Sequence, residues 1–215
     1  NLTMMSQTSA EMNANINPPG YMEVCIKHVT EKGKKLLNGW EHWSLEDVNR
    51  TLDSLKEPGY ASASMYVGQI VFNVLLKAAN NPKIPFKMIE KTVNKTLSTR
   101  VGCLGKNPFE DFVVTSEDRE LACNFFKVFV KHGEEDSRYY CLIYKMLTYQ
   151  SGKNKTYPVG FQMAQCEGFN EQVLAKLPWE MRERLKQETF YHDDEGWNSD
   201  RRICYALLTG YSVGM

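Results

Sequence analysis

The amino-acid sequence predicts an α+β domain, with several helices packed on a three-stranded antiparallel β-meander and stapled by disulfides. Three observations carry this expectation. Apolar residues recur at helical spacing through the first hundred positions and again near the end. In between, the spacing shifts toward two. Six cysteines are scattered along the 215 residues.

Residues 1–20 are polar and end in Pro18-Pro19-Gly20, which reads as a loose N-terminal arm; residues 21–215 read as one domain. Tyr21 to Leu37 is the first expected helix, on the spacing of Met22, Cys25, Ile26 and Val29, with Gly39 as its stop. The second runs from Ser44 to Glu57. Ser44 stands at the N-cap, Glu46 and Asp47 sit at the positive end of the dipole, and Leu45, Val48, Leu52 and Leu55 form the inward stripe. Tyr60 to Ala79 is the most apolar stretch and reads as a central helix, ended by Pro82 and Pro85. Phe86 to Arg100 follows, with Phe86, Ile89, Val93 and Leu97 inward.

The meander is expected next. Asn124 to His132 alternates, Tyr139 to Gln150 is rich in aromatics, and Thr156 to Cys166 gives a third run. Gly133 to Ser137 is the first turn by composition, and Ser116 to Asp118 would cap a short helical turn ahead of the meander. Asn170 to Phe190 returns to helix, with Val173, Leu174, Leu177, Met181 and Leu185 inward and Pro178 kinking or splitting it. A last short element runs from Arg202 to Leu208. In element order alone, this is similar to the cysteine-rich secretory (CAP) superfamily and to cystatin-like folds, without a sequence motif of either.

The cysteines are Cys25, Cys103, Cys123, Cys141, Cys166 and Cys204. None forms the Cys-x-x-Cys pair that zinc or a thioredoxin-type site favours, whereas wide spacing suits staples that close long loops. Six cysteines allow fifteen pairings, and the alternative is six buried thiols. Four glycosylation sequons begin at Asn1, Asn49, Asn94 and Asn154, against about two expected by chance. Asn49 and Asn94 fall away from the apolar stripes of their helices, and Asn154 falls in a turn. Cysteines and sequons together point outside the cell, secreted or attached to its surface. No run is long and apolar enough to span a bilayer, so membrane attachment would need an anchor or tail that is no longer present.

Net charge is zero, which gives no global reason to expect nucleic acid or an anionic membrane as partner. Ala61 to Lys106 nonetheless carries seven basic residues (Lys77, Lys83, Lys87, Lys91, Lys95, Arg100 and Lys106) against the single acid Glu90. That is either a solvated helix face or a docking patch for an acidic partner or a glycan.

No nucleophile elbow, zinc-protease helix or phosphate loop is present, and no cofactor is implied. His42 stands between Trp40 and Trp43, a pattern that fits a cleft base or a plain turn; His28 and His132 read as ordinary helix and strand-end residues. His192, Asp193, Asp194 and Glu195 are the densest ligand-type group, but Gly196-Trp197 breaks the EF-hand order, so no metal is assigned. Trp40, Trp43, His192, Asp193, Asp194 and Trp197 are the candidate partner contacts. The expected function is a non-enzymatic extracellular interaction domain for a protein or glycan partner: a surface antigen, receptor ectodomain or secreted effector. The alternatives are a carrier of a lipid or other small apolar ligand, and a secreted hydrolase built from His42 or His192 with nearby acids.

Overall fold

A computed structural model of the chain describes residues 29–57, 59–101, 105–115, 119–149, 159–164 and 166–190. Ten α-helices follow one another among these residues. They are α1 (Glu31–Leu37), α2 (Leu45–Ser54), α3 (Ser64–Ala79), α4 (Phe86–Ser98), α5 (Pro108–Thr115), α6 (Glu120–Glu135), α7 (Arg138–Thr148), α8 (Val159–Ala164), α9 (Phe169–Gln172) and α10 (Trp179–Phe190). Short 3-10 turns cover Trp40–His42, Ala61–Ala63 and Leu174–Lys176.

The expected α+β class is wrong. No sheet forms among the described residues; the β pairing there is an isolated bridge between Val101 and Lys106. Two expected strands are α6 and α7, and the described part of the third contains α8. The nine-residue window from Asn124 was too short to show the true period. Beginning instead at Leu121, the buried residues Leu121, Ala122, Phe125, Phe126, Phe129, Val130 and Gly133 form a helical stripe, with Val128 also buried beside it. In α7 the buried Tyr139, Leu142, Ile143, Met146 and Leu147 repeat at three and four. Aromatic and β-branched content had suggested strand, and burial on one helical face overrides it. With no meander, the similarity in element order to the CAP and cystatin-like folds lapses.

Several other expected helices are found, but the first does not run unbroken from Tyr21 to Leu37, because Thr30 is the N-cap of α1 and the helix begins at Glu31. Ser44 caps α2 through a reciprocal box: the Asp47 amide donates to Ser44 Oγ at 3.3 Å, and the Ser44 amide donates to Asp47 Oδ2 at 2.8 Å. Phe86, Ile89, Val93 and Leu97 are all buried in α4. Pro178 separates the Leu174–Lys176 turn from α10. Helix α5 has no counterpart in the expected element order, yet Asn107-Pro108-Phe109-Glu110 carries its signature. Pro108 takes the first helical position, and the Asn107 and Glu110 side chains accept each other's amides at 3.0 and 3.2 Å.

Helix α3 is the axis of the molecule. It is apolar nearly all round, with Val67, Ile70, Val71, Phe72 and Leu75 sealed from solvent. Helices α2, α4, α5 and α6 pack around it. The Phe72 ring lies 4.8 Å from both Phe109, tilted, and Phe125, edge to face, so three helices meet at one cluster of rings. Gly68 permits the closest of these approaches. A Cβ there would stand 2.1 Å from the Pro108 carbonyl oxygen and 2.9 Å from Phe112 Cβ. A hairpin of α6 and α7 closes the far side, its turn held by Arg138, which pairs with Asp136 at 2.7 Å and lies over the Phe86 ring.

Candidate functional site

The first turn of α2, the end of α3 and the start of α4 enclose a groove of about 180 Å³. Trp43, Leu45, Val74, Ala78, Ile84 and Met88 supply its apolar wall, and Lys77 and Glu46 stand at its charged edge. The local sequence explains the position of Trp43. The capping box on Ser44 fixes where α2 begins, and the Trp43 amide donates back to the Trp40 carbonyl at 3.1 Å. The indole is therefore held from both sides, half-buried against the core. Asp47 within the box is held below the usual carboxylate range, chiefly by the Ser44 amide, so the cap stays charged at neutral pH.

Lys77 lines this groove, and Lys83 and Lys87 are the chain neighbours of its lining residues Ile84 and Met88. Lys77, Lys83, Lys87 and Lys91 are exposed, and among the described residues none of them pairs with a carboxylate. Lys95 differs, because it reaches across to Asp53 at 2.8 Å and ties α4 to α2. Met88 keeps 38 % of its surface in water. The arrangement is a largely apolar slot edged by Lys77 and Glu46, with further lysines close by in the chain, suited to a hydrophobic side chain with an acidic neighbour.

Of the six expected contact residues, Trp43 lines the groove. Trp40 lies in the preceding 3-10 turn, half-buried against the core and outside the groove lining. His192, Asp193, Asp194 and Trp197 lie outside the described residues. Ile84 and Met88 were missed. The available signal was Met88, an apolar residue off the inward stripe of α4 and beside Lys87.

The sequons divide. Asn49 was expected to face solvent, and the structure corrects this: it is 7 % exposed, and its Oδ1 accepts from Thr92 Oγ1 at 3.0 Å. So enclosed an amide leaves no room for a glycan. Asn94 is half-buried, and its Oδ1 accepts from Lys145 Nζ at 2.7 Å. Asn1 and Asn154 lie outside the described residues, as do Cys25, Cys103 and Cys204. Cys123 and Cys166 are half-buried and Cys141 is exposed, all three as thiols.

His42 is exposed in its turn. His132 ends on α6 rather than on a strand; its Nε2 lies 3.0 Å from Asn80 Oδ1, and its ring stacks on Tyr139. Burial pulls its pKa below the ordinary 6.5, against the opposing field of Glu135.

Family models, curated proteins and solved structures give no significant match to this chain.

Proposed function

We propose that this chain is an extracellular interaction module, without catalytic activity of its own, that holds an acidic segment of a partner protein by a hydrophobic anchor residue. The observation that carries the binding reading is the Trp43 groove, with its apolar wall and the exposed Lys77 at its edge. Its size supports a peptide anchor over a lipid cargo. About 180 Å³ suits one or two side chains, whereas sites that engulf a small molecule run from roughly 300 Å³ upward. Its apolar lining favours polypeptide over glycan. The extracellular part rests on the six cysteines and on the sequons other than Asn49.

The test uses the full chain against a displayed library of peptides from extracellular proteins. Enrichment of peptides with an aromatic or aliphatic residue between acids is the expected result. Trp43→Ala should then weaken the best peptide by at least about tenfold, roughly 1.4 kcal/mol. Binding that survives Trp43→Ala, or enrichment of sulfated glycans instead on a parallel array, would overturn the assignment.

A further inference from the structure

Two of the cysteines meet. Three side-chain pairs, each separated by the same 43 positions, climb the contact between α6 and the segment running from α8 into α9. Arg119 donates to Gln162 Oε1 at 3.1 Å. One turn on stand Cys123 and Cys166, the Cys166 thiol donating to the Gln162 carbonyl at 3.9 Å and its nearness helping to raise the Cys123 thiol. One turn further, the rings of Phe126 and Phe169 pack edge to face at 5.8 Å. The outer pairs fix the register, so the adjacency of the two cysteines follows from the packing of both segments. Both cysteines also pack on the core while remaining partly open to solvent. A small reagent therefore has access to two thiols that the flanking contacts bring to neighbouring positions.

We propose that Cys123 and Cys166 form a disulfide by exchange with a small-molecule disulfide such as oxidised glutathione. Cys166, as its thiolate, attacks one glutathione sulfur. A mixed disulfide forms, and one glutathione leaves as thiolate. Cys123 then gives up its proton to solvent and attacks Cys166 Sγ. The protein S–S bond forms, the mixed disulfide breaks, and the second glutathione leaves. Two protein thiols are oxidised, and one glutathione disulfide is reduced to two thiols. Burial first, and the adjoining Cys166 second, push the Cys123 thiol up to about 12. Once Cys166 is capped its field is gone but the burial remains and still disfavours the Cys123 thiolate, so the second attack is the slow step and accelerates as pH rises. Assigning this pair leaves Cys25, Cys103, Cys141 and Cys204, which admit three pairings. The chemistry is asked of the isolated chain, so it stands or falls independently of where the protein resides.

The experiment takes the reduced full-length chain through a series of glutathione redox buffers, quenches with an alkylating reagent and maps the peptides. The expected result is a linked Cys123–Cys166 peptide, lighter by two hydrogens, with loss of alkylation at both sites. In Cys123→Ser, Cys166 should instead accumulate as the glutathione mixed disulfide, and Cys141→Ser should leave the bridge intact. Alkylation of both thiols at every buffer ratio, separate glutathione adducts on each, or a bridge from either to another cysteine would overturn the proposal. Circular dichroism on each sample confirms that the helices persist, so an unfolded variant is not mistaken for a negative result.

Discussion

At the scale of single residues, Gly68 and His132 say most. Gly68→Ala drives a methyl into the Pro108 carbonyl, and backbone cannot rotate away. The expected loss is about 1–3 kcal/mol in urea unfolding. Gly133→Ala meets only the Tyr140 ring, a side chain able to turn aside, so the better helix propensity of alanine offsets much of the cost. If the two variants lose equal stability, the close approach of α3 and α5 is not what Gly68 provides. His132 titrates below 6.5 in the folded chain, so the fold binds fewer protons than the unfolded chain in that range. Its contribution to stability is thus present above pH 6.5 and is lost as pH falls through the lowered value. In His132→Gln, thermal melts across that window should flatten. The depressed carboxylates Asp47, Asp53 and Asp136 act in a lower window, below their ordinary 3.8. Asn49 shows why single residues can mislead a sequence reading. A polar residue beside an apolar stripe looks solvated, but Thr92 on the neighbouring helix offers it a buried partner.

At the scale of elements, the helices that carry their own punctuation were legible. Ser44 with Asp47, and Phe86 after Pro85, mark their starts without help from the rest of the chain. The inward stripes of α2 and α4 followed directly. Helices α6 and α7 lack such marks: neither Arg119 nor Ser137 makes a side-chain cap. Without a start signal the reading window slid, and short aromatic runs imitated strands. Helix α5 is an exception, its box of Asn107 and Glu110 being written in the sequence and absent from the expected order. Otherwise α2 and α4 were readable where local chemistry fixed them, and α6 and α7 were misread where tertiary burial did. The two ends of the proposed bridge stand in this second region. In a chain-entropy account, closing Cys123 to Cys166 stabilises the fold by about 3–5 kcal/mol. Urea midpoints with and without reductant, compared in the wild type and in Cys123→Ser, check this. The reduced wild type should lose stability as pH rises from 9.0 toward about 12, because the unfolded chain sheds the Cys123 proton first. The bridged form should show no such loss from this residue.

At the scale of the whole molecule, zero net charge hides a polarity. Four of the seven bases, Lys77, Lys87, Lys91 and Lys95, lie on α3 and α4, and Lys77 edges a groove whose lining is mostly apolar. The sequence exposed the charge and one of the aromatics but not their adjacency, which depends on how the start of α2 meets the end of α3. Two kinetic signatures should therefore separate. Lys87→Glu with Lys91→Glu should slow association with an acidic peptide, and the effect should fade in high salt. Trp43→Ala should chiefly hasten dissociation. Stopped-flow or surface-binding kinetics distinguish them, and a lysine effect that is insensitive to salt would count against electrostatic steering.

The nearly all-apolar surface of α3 also sets a problem in time. Helices α5 and α6, which cover much of it, are made after it on the ribosome. Until roughly the second half of the chain has emerged, the nascent protein carries an uncovered greasy rod. Such intermediates aggregate readily, so yield in a cell should depend on chaperones that hold emerging chains. Truncation before α6 should give insoluble product rather than a smaller folded unit. The same helix that makes the finished core makes the fold an all-or-nothing undertaking for the cell that synthesises it.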